Sequence, residues 1–505
     1  MKKLTLFFII TSVLFCSCTD MLELEPENSV TFYNYFKTEK DIETTVFSMH
    51  AILRSEYLGN KNYPMLLGNK TDKLSDFYER LRAHDPSIFT STTGIHWEGM
   101  YDVITWANMV IDNIDKAEDL PQDRYDFYKG QAYFVRAFMY FRIIQIFGDA
   151  PLVVGIQDNG QKVRTPWKEV LQFAIEDANK AAKMLKPWAE QRNADKSSVV
   201  SKQIPGKGTA YALLAHMHAW MGEFGNEPTH LDLAVKAASN VIDGNAEENY
   251  APEFNLASDP EEVVTGVMIG NHIESIFEGD YELSEMAQIS HSQVLLEDDY
   301  QSWPHRPDAS KGRYKNLPFG LLNATVRLMY GDNDKRRDSY FYQFEELEND
   351  PVLDGWAVFQ KRRTAIMNNS SGWEEFEAWK GNGIIFRLAG IILLRAECYA
   401  KKGENDLAIA DLNTIRNRAG AGLYSANEGE LYKIIFKERE KELLIEDHRY
   451  FDCVRTGMWK YELSETIRNL TDQEIADGAL FMPISSRAFN NNPGMRQNKY
   501  WLGKW

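Results

Sequence analysis

The sequence predicts a predominantly all-α fold, a right-handed superhelix of packed helix pairs carrying one loop-rich insert with short strands and helices. Three observations predict it. Apolar residues recur at three- and four-residue spacing in segments that come two by two. Small residues stand at matched places in the two members of a pair, where they let helices approach closely. Between about 245 and 383 this pairing lapses into a stretch rich in Pro, Gly and aromatics. With 505 residues, 44% of them hydrophobic, the chain is long enough for such pairs to share a large core.

Residues 1–20 read as a leader. Lys2 and Lys3 form a basic start, Leu4 to Phe15 an apolar run too short to span a bilayer, and Ser17 precedes Cys18. The expected cut lies after residue 17, leaving Cys18 acylated; Cys16 competes, but the bulky Phe15 before it does not suit cleavage. Acyl chains contribute about 0.8 kcal/mol per buried methylene, so several on one cysteine anchor the chain stably. Residues 18–35, acidic at Asp20, Glu23, Glu25 and Glu27, form the expected tether, and 36–505 a single domain. No later run reaches the 18 to 20 apolar residues of a membrane-spanning helix. The formal charge of -18, which grows by two when Lys2 and Lys3 leave, repels nucleic-acid phosphates, so no nucleic-acid partner is expected. Of four cysteines only Cys398 and Cys453 remain, each in an apolar helical pattern where a buried thiol is commoner than a bridge.

The helix pairs are expected at about 39–117, 123–186, 205–243 and 384–418. The last is the clearest. Ile384 to Lys401 places Leu388, Ile391, Ile392, Ala396 and Tyr399 on one stripe, Gly403 breaks it, and Asp406 to Arg418 resumes with Leu407, Ala408, Leu412 and Ile415. Ala396, Tyr399, Ala408 and Leu412 match the small-aromatic-small-large spacing of a tetratricopeptide helix pair. Gln131 to Phe147 with Trp167 to Leu185 makes a weaker copy through Ala137, Tyr140, Ala174 and Ala178. Gly208 to Met221 with Leu231 to Ile242 makes a third, and Glu39 to Arg54 with Trp97 to Ala117 a fourth, split by a long insert. Pairs that cannot bury their apolar faces alone must stack. In the loop-rich stretch, Val263 to Ile269 reads as a short element and Asn323 to Tyr330 as a return to helix. Leu431 to Asp447 is one more strong helix.

Several segments together resemble the SusD/RagB family of surface glycan-binding lipoproteins. They are Trp97-Glu-Gly-Met-Tyr101, Gln131 to Leu152 with Arg136, Arg142, Gly148, Asp149 and Pro151, Arg336-Arg337-Asp338, Phe386-Arg387, Leu394-Arg395-Ala-Glu397 and Leu412 to Gly420. Lys437 to Asp452 and Met482-Pro483-Ile484 complete the set, the last departing slightly from the family's Phe-Pro-Ile. The resemblance implies a tetratricopeptide scaffold with a loop-rich ligand-binding half, no catalysis, and exposure at the outer face of the outer membrane. It implies a SusC-like TonB-dependent transporter as partner, covered by the protein as by a hinged lid. The acidic residues after Cys18 are similar to the surface-export signal of such lipoproteins.

The charged segment from Phe436 to Glu442, with Glu446 and Arg449, alternates signs at helical spacing, which suits an exposed face or ties between helices. Arg136, Arg142, Arg395 and Asp149 lie in packing segments, where forks between helices explain them. Little points to an enzyme, a metal or a cofactor. His216 and His218 fall on different helix faces, and there is no Gly-x-Ser-x-Gly turn, Walker loop or dinucleotide fingerprint. A glycan site needs flat aromatics for the C–H faces of sugars and carboxylates, amides or guanidinium groups for hydroxyls. Two inserts offer them: Asp72, Asp76, Tyr78, Arg80 and Arg82 with His96 and Trp97, and Tyr300, Trp303, Arg313 and Tyr314. Trp97 starts a helix with Tyr101 and Ile104, so core packing competes with stacking there; Trp303, beside Pro304, is the better platform. The leading function is capture of an oligosaccharide and its delivery to the transporter. A surface glycosidase and a peptide-binding assembly protein of tetratricopeptide type are the alternatives.

Overall fold

The computed structural model describes residues 35–59, 68, 70–72, 76–85, 96–158, 160–280, 319–363, 365–368, 375–379, 381–490 and 492–504. Its helices of eight or more residues are α1 (Glu39–Gly59), α2 (Glu98–Asn113), α3 (Gln122–Phe147), α4 (Trp167–Met184), α5 (Lys207–Glu223), α6 (Thr229–Asp243), α7 (Leu388–Lys402), α8 (Asn405–Ala419), α9 (Leu431–Glu442) and α10 (Arg449–Thr456). Each of α1 to α7 packs on the next, then α7 on both α8 and α9, which is the stacked order of a helix-pair superhelix.

Burial follows the sequence pattern. From Phe134 to Phe147 every side chain of α3 is buried, as is every one from Leu388 to Cys398 in α7, so these two helices run through the core rather than over it. At the tight turn between α7 and α8, Gly403 takes φ +81° and lets the chain reverse without a Cβ penalty. Ala396, Ala408 and Leu412 are fully buried and Tyr399 packs partly buried beside them, the close approach that a tetratricopeptide pair requires.

The pairing of α7 begins later than its periodicity suggests. Gly383–Arg387 is a strand rather than a first helical turn; numbered β4, it pairs antiparallel with β1 (Ser275–Gly279). Ile384, Ile385 and Phe386 suit a strand as well as a helix, and Phe386 and Phe277 seat this two-stranded sheet against Phe138 of α3 at 6.1 and 5.3 Å between ring centroids. A second antiparallel pair joins β2 (Ala365–Asn368) to β3 (Glu375–Trp379). In the loop-rich stretch the short helices Pro260–Thr265 and Asn323–Met329 stand where apolar runs place them. Cys398 and Cys453 are buried free thiols, each pushed up by burial, Cys453 to about 12.

The helix expected to reach Asp447 stops at Glu442. Its last carbonyls turn away from helical partners toward buried cations: Lys361 Nζ donates to the Glu442 and Leu444 carbonyls at 2.9 Å each, and Arg387 donates to the Glu442 carbonyl at 2.7 Å. Ile445 and Asp447 then take φ +56° and +63°, carrying the chain into α10. The charged segment is therefore a set of interior ties and not an exposed face, since Glu438, Arg439, Glu440, Glu442 and Glu446 are all buried. Arg395 makes the expected fork, onto Asp411, whereas Arg136 makes a single bond to Asp177 and reaches Asn108 and the Val154 carbonyl with its Nη1. Asp149 instead accepts from the Trp167 N–H at the start of α4, and Arg142 lies over the Phe451 ring.

Candidate functional site

The described ends of the two inserts meet. Thr71 Oγ1 donates to the Gly320 carbonyl at 2.8 Å and accepts from the Gly320 N–H at 3.1 Å. Asp72 N–H donates to the same carbonyl, and the Asp72 carboxylate accepts from the Leu322 N–H, both at 2.8 Å. Four hydrogen bonds thus clasp 71–72 to 320–322, and the strand-like bridge from Leu322 to Trp356 carries the clasp on to the 353–357 turn. The half-buried Trp356 indole packs on Gly320, where an added Cβ would lie 3.0 Å from its Cε3.

The first insert is also fixed to the scaffold. Arg449 donates to the Gly68 carbonyl at 2.7 Å, and a Cβ on Gly68 would sit 2.2 Å from the Tyr450 nitrogen, so only glycine fits. Ser464 Oγ donates to the Arg82 carbonyl at 2.6 Å. Behind Arg449 stands Glu440, whose carboxyl burial would push up but which Arg449, Lys437 and Lys70 hold down to about 2.

Deeper lies a network that fixes this half of the molecule. Arg387 reaches Glu274 and Glu442 at 2.7 Å each and forks onto Glu446 at 2.7 and 2.8 Å. Arg418 bonds Glu274 at 3.1 Å and also pairs with Glu442, while Arg336 spans Asp334, Glu438 and Glu442. Burial disfavours the charged form of Glu442, yet Arg418, Arg387 and Arg336 outweigh it and hold the carboxyl well below the usual range. Against the same burial, Arg387 and Lys361 hold Glu446 at about 2.

A second cluster contains two carboxylates whose affinities for protons are pushed apart. Burial raises Glu397, whereas Arg439 and Arg455 outweigh burial and lower Asp452. That divergence is what an acid and base pair would need. The adjoining cavity, between Asp452, Arg455, His216 and His448, holds only about 30 Å³, room for a water and not for a sugar ring.

Among the residues singled out from the sequence, Asp72 is exposed and belongs to the clasp. Arg80 donates to Asp85 at 2.8 Å, Arg82 is half-buried, and His96 stands 3.8 Å from Glu98. Trp97 is a correction: it is 5% exposed and packs edge-on against Phe147 and Tyr101 at 5.4 and 5.8 Å, so the packing reading holds and no ring face is offered to a ligand. The side chains of Asp76 and Tyr78, and all of Tyr300, Trp303, Arg313 and Tyr314, lie outside the described residues. Gly68, Thr71, Gly320 and Trp356 were not singled out; Asp354-Gly355 before Trp356 is the turn signal that marks an aromatic in a loop.

Helix pairs stacked into a superhelix, with the described ends of two long inserts clasped together on it, define a helix-repeat scaffold that carries extended inserts. Residues 363–501 match the SusD family, and residues 21–218 match the family described as starch-binding associating with outer membrane. Both matched family models are of SusD-like proteins, one toward each end of the chain. It is 24% identical to SusD-like protein P38 of Formosa agariphila over 98% of both chains. Among solved structures it is similar to a SusD homolog from Bacteroides thetaiotaomicron, with TM-score 0.74 and 22% identity over 92% of this chain and 99% of that one. It is also similar to surface glycan-binding protein A from the same organism, solved in complex with laminarihexaose, with TM-score 0.68 and 18% identity over 92% and 100%.

Proposed function

We propose that this protein binds an oligosaccharide at the cell surface without cleaving it and delivers it to a SusC-like TonB-dependent transporter. It is anchored in the outer membrane through acylated Cys18. The observation that carries the reading is the clasp between residues 71–72 and 320–322, which joins two inserts rich in aromatic and hydrogen-bonding residues, in a chain that matches SusD-like families toward both its ends. The description of the second matched family and the laminarihexaose bound by a structural relative support a glycan ligand. A non-catalytic role is supported by the burial of Glu397 and Asp452, since the cavity beside Asp452 is too small for a sugar ring and Glu397 does not line it. Tyr300, Trp303, Arg313 and Tyr314, with Asp72, Asp76, Tyr78, Arg80, Arg82 and His96, supply the proposed ligand groups.

Calorimetry on a panel of oligosaccharides, with product analysis, tests the reading. Trp303→Ala is expected to weaken binding by about 1 to 3 kcal/mol, the scale of a lost aromatic anchor, and to leave the melting temperature nearly unchanged. Release of shorter sugars would establish a glycosidase instead. Silence toward every glycan alongside tight peptide binding would favour an assembly protein.

A further inference from the structure

An open groove of about 1010 Å³ runs between the outer face of α1, the 193–204 loop and Asp280. We propose that this groove is a second binding surface for an uncharged oligosaccharide, in addition to the one proposed at the two inserts. The proposal rests on the reading of the chain as a glycan binder.

Three features of the groove select that ligand. Its charges nearly balance, Lys40 and Arg54 against Glu43, Asp195 and Asp280, in a chain whose formal charge is -18. A ligand of either strong sign therefore gains nothing there, unlike a neutral one. Apolar and polar groups alternate on its walls: Phe47 and Val200 are 53% and 72% exposed, large values for such side chains, and stand with Thr44, Ser48, Asn193 and Ser201. Apolar faces beside hydroxyls and amides are the mixture that a sugar ring meets with its C–H face and its edge.

The third feature is at the floor. Gln131 Nε2 donates to the Phe127 carbonyl at 3.0 Å, which leaves Gln131 Oε1 to accept from His50 Nε2 at 2.9 Å. The proton of His50 is thus on Nε2, and Nδ1 carries a bare lone pair. Burial keeps this ring neutral, with its pKa lowered to about 4. His50 is 4% exposed and lines the groove, and its Nδ1 has no hydrogen-bond partner among the described residues. A buried acceptor without a donor costs free energy, and because this nitrogen is closed to solvent, a ligand hydroxyl reaches it when the His50 ring turns toward the groove. Beside it, Gln203 donates to the His50 carbonyl at 2.8 Å and accepts from the Asp280 N–H at 3.1 Å, which ties the 193–204 loop to α1 and to Asp280.

The test uses the full-length protein in detergent, titrated calorimetrically with laminarihexaose, maltohexaose, cellohexaose and xylohexaose. Phe47→Ala removes an exposed ring, and Ala51→Trp fills the groove from an exposed position; both leave the core intact. With a hexasaccharide that binds the wild type, two phases are expected. Both groove variants should weaken one phase by about five- to thirtyfold, and Trp303→Ala the other. A single phase indifferent to both groove variants would overturn this proposal and leave the insert reading standing. No binding of any hexasaccharide by the wild type would overturn both. Groove variants that bind sugar normally but no longer co-purify with an outer-membrane barrel would overturn it in favour of protein docking.

Discussion

Arg387 shows how much of this molecule rests on single buried charges. Three carboxylates, Glu274, Glu442 and Glu446, turn toward it, and it is 2% exposed. A buried ion pair gains little net stability over apolar packing, but removing one partner strands the others. Arg387→Met is therefore expected to cost about 3 to 5 kcal/mol in a denaturant melt, because three buried carboxylates lose their shared cation. A cost below about 1 kcal/mol would show that Lys361 and Arg418 suffice for all three. None of this was readable from the residue itself, which stands in the sequence beside Phe386 with no carboxylate within reach along the chain. Trp97 teaches the same: its helical spacing to Tyr101 and Ile104 allowed packing or stacking, and Phe147, fifty residues away, decided for packing.

At the scale of elements, helix existence was legible and helix ends were not. The period of α7 and α8 and the break at Gly403 mark a close pair, and Ala408 lies in it with no exposed surface. Ala408→Glu should bury an unpaired carboxylate and push the helices apart, costing several kcal/mol by overpacking and desolvation together, read as a large fall in melting temperature. An unchanged melting temperature would show that the pair tolerates separation. The ends were set elsewhere. Ile384 to Phe386 joined a strand because β1, more than a hundred residues earlier, offered a ladder, and α9 stopped at Glu442 because Lys361 and Arg387 took its carbonyls.

For the whole molecule, the same network sets the response to acid. Glu440 and Glu446 have folded-state values near 2 against about 4.5 for the free side chain, and Glu442 is depressed in the same direction. A depressed carboxylate contributes stability that is fully present above the unfolded value and is lost as pH falls through the folded one. Stability is thus expected to drop between about pH 4.5 and 2, with roughly 3 kcal/mol from Glu446 alone. Glu397, raised by burial, acts in the opposite sense: its contribution is present below its unfolded value and is lost as pH rises through its folded one. Melting temperatures measured from pH 7 to 2 check this. A flat profile below pH 4.5 would mean that the cations do not hold these carboxylates in the folded state.

The sequence by itself determined the helical class, the order of the helix pairs and the family resemblance, because the period of apolar residues is a local record of which face each helix buries. It also marked the inserts as the place where aromatic and hydrogen-bonding side chains collect outside that period. Tertiary structure alone decided which of those side chains are used for packing, which buried charges answer one another, and that residues 71–72 meet 320–322 across some 250 positions. The physical reason is range. Helix periodicity is satisfied within a few residues, whereas an ion pair, a strand ladder or a clasp is satisfied by a partner whose distance along the chain leaves no trace in the local pattern.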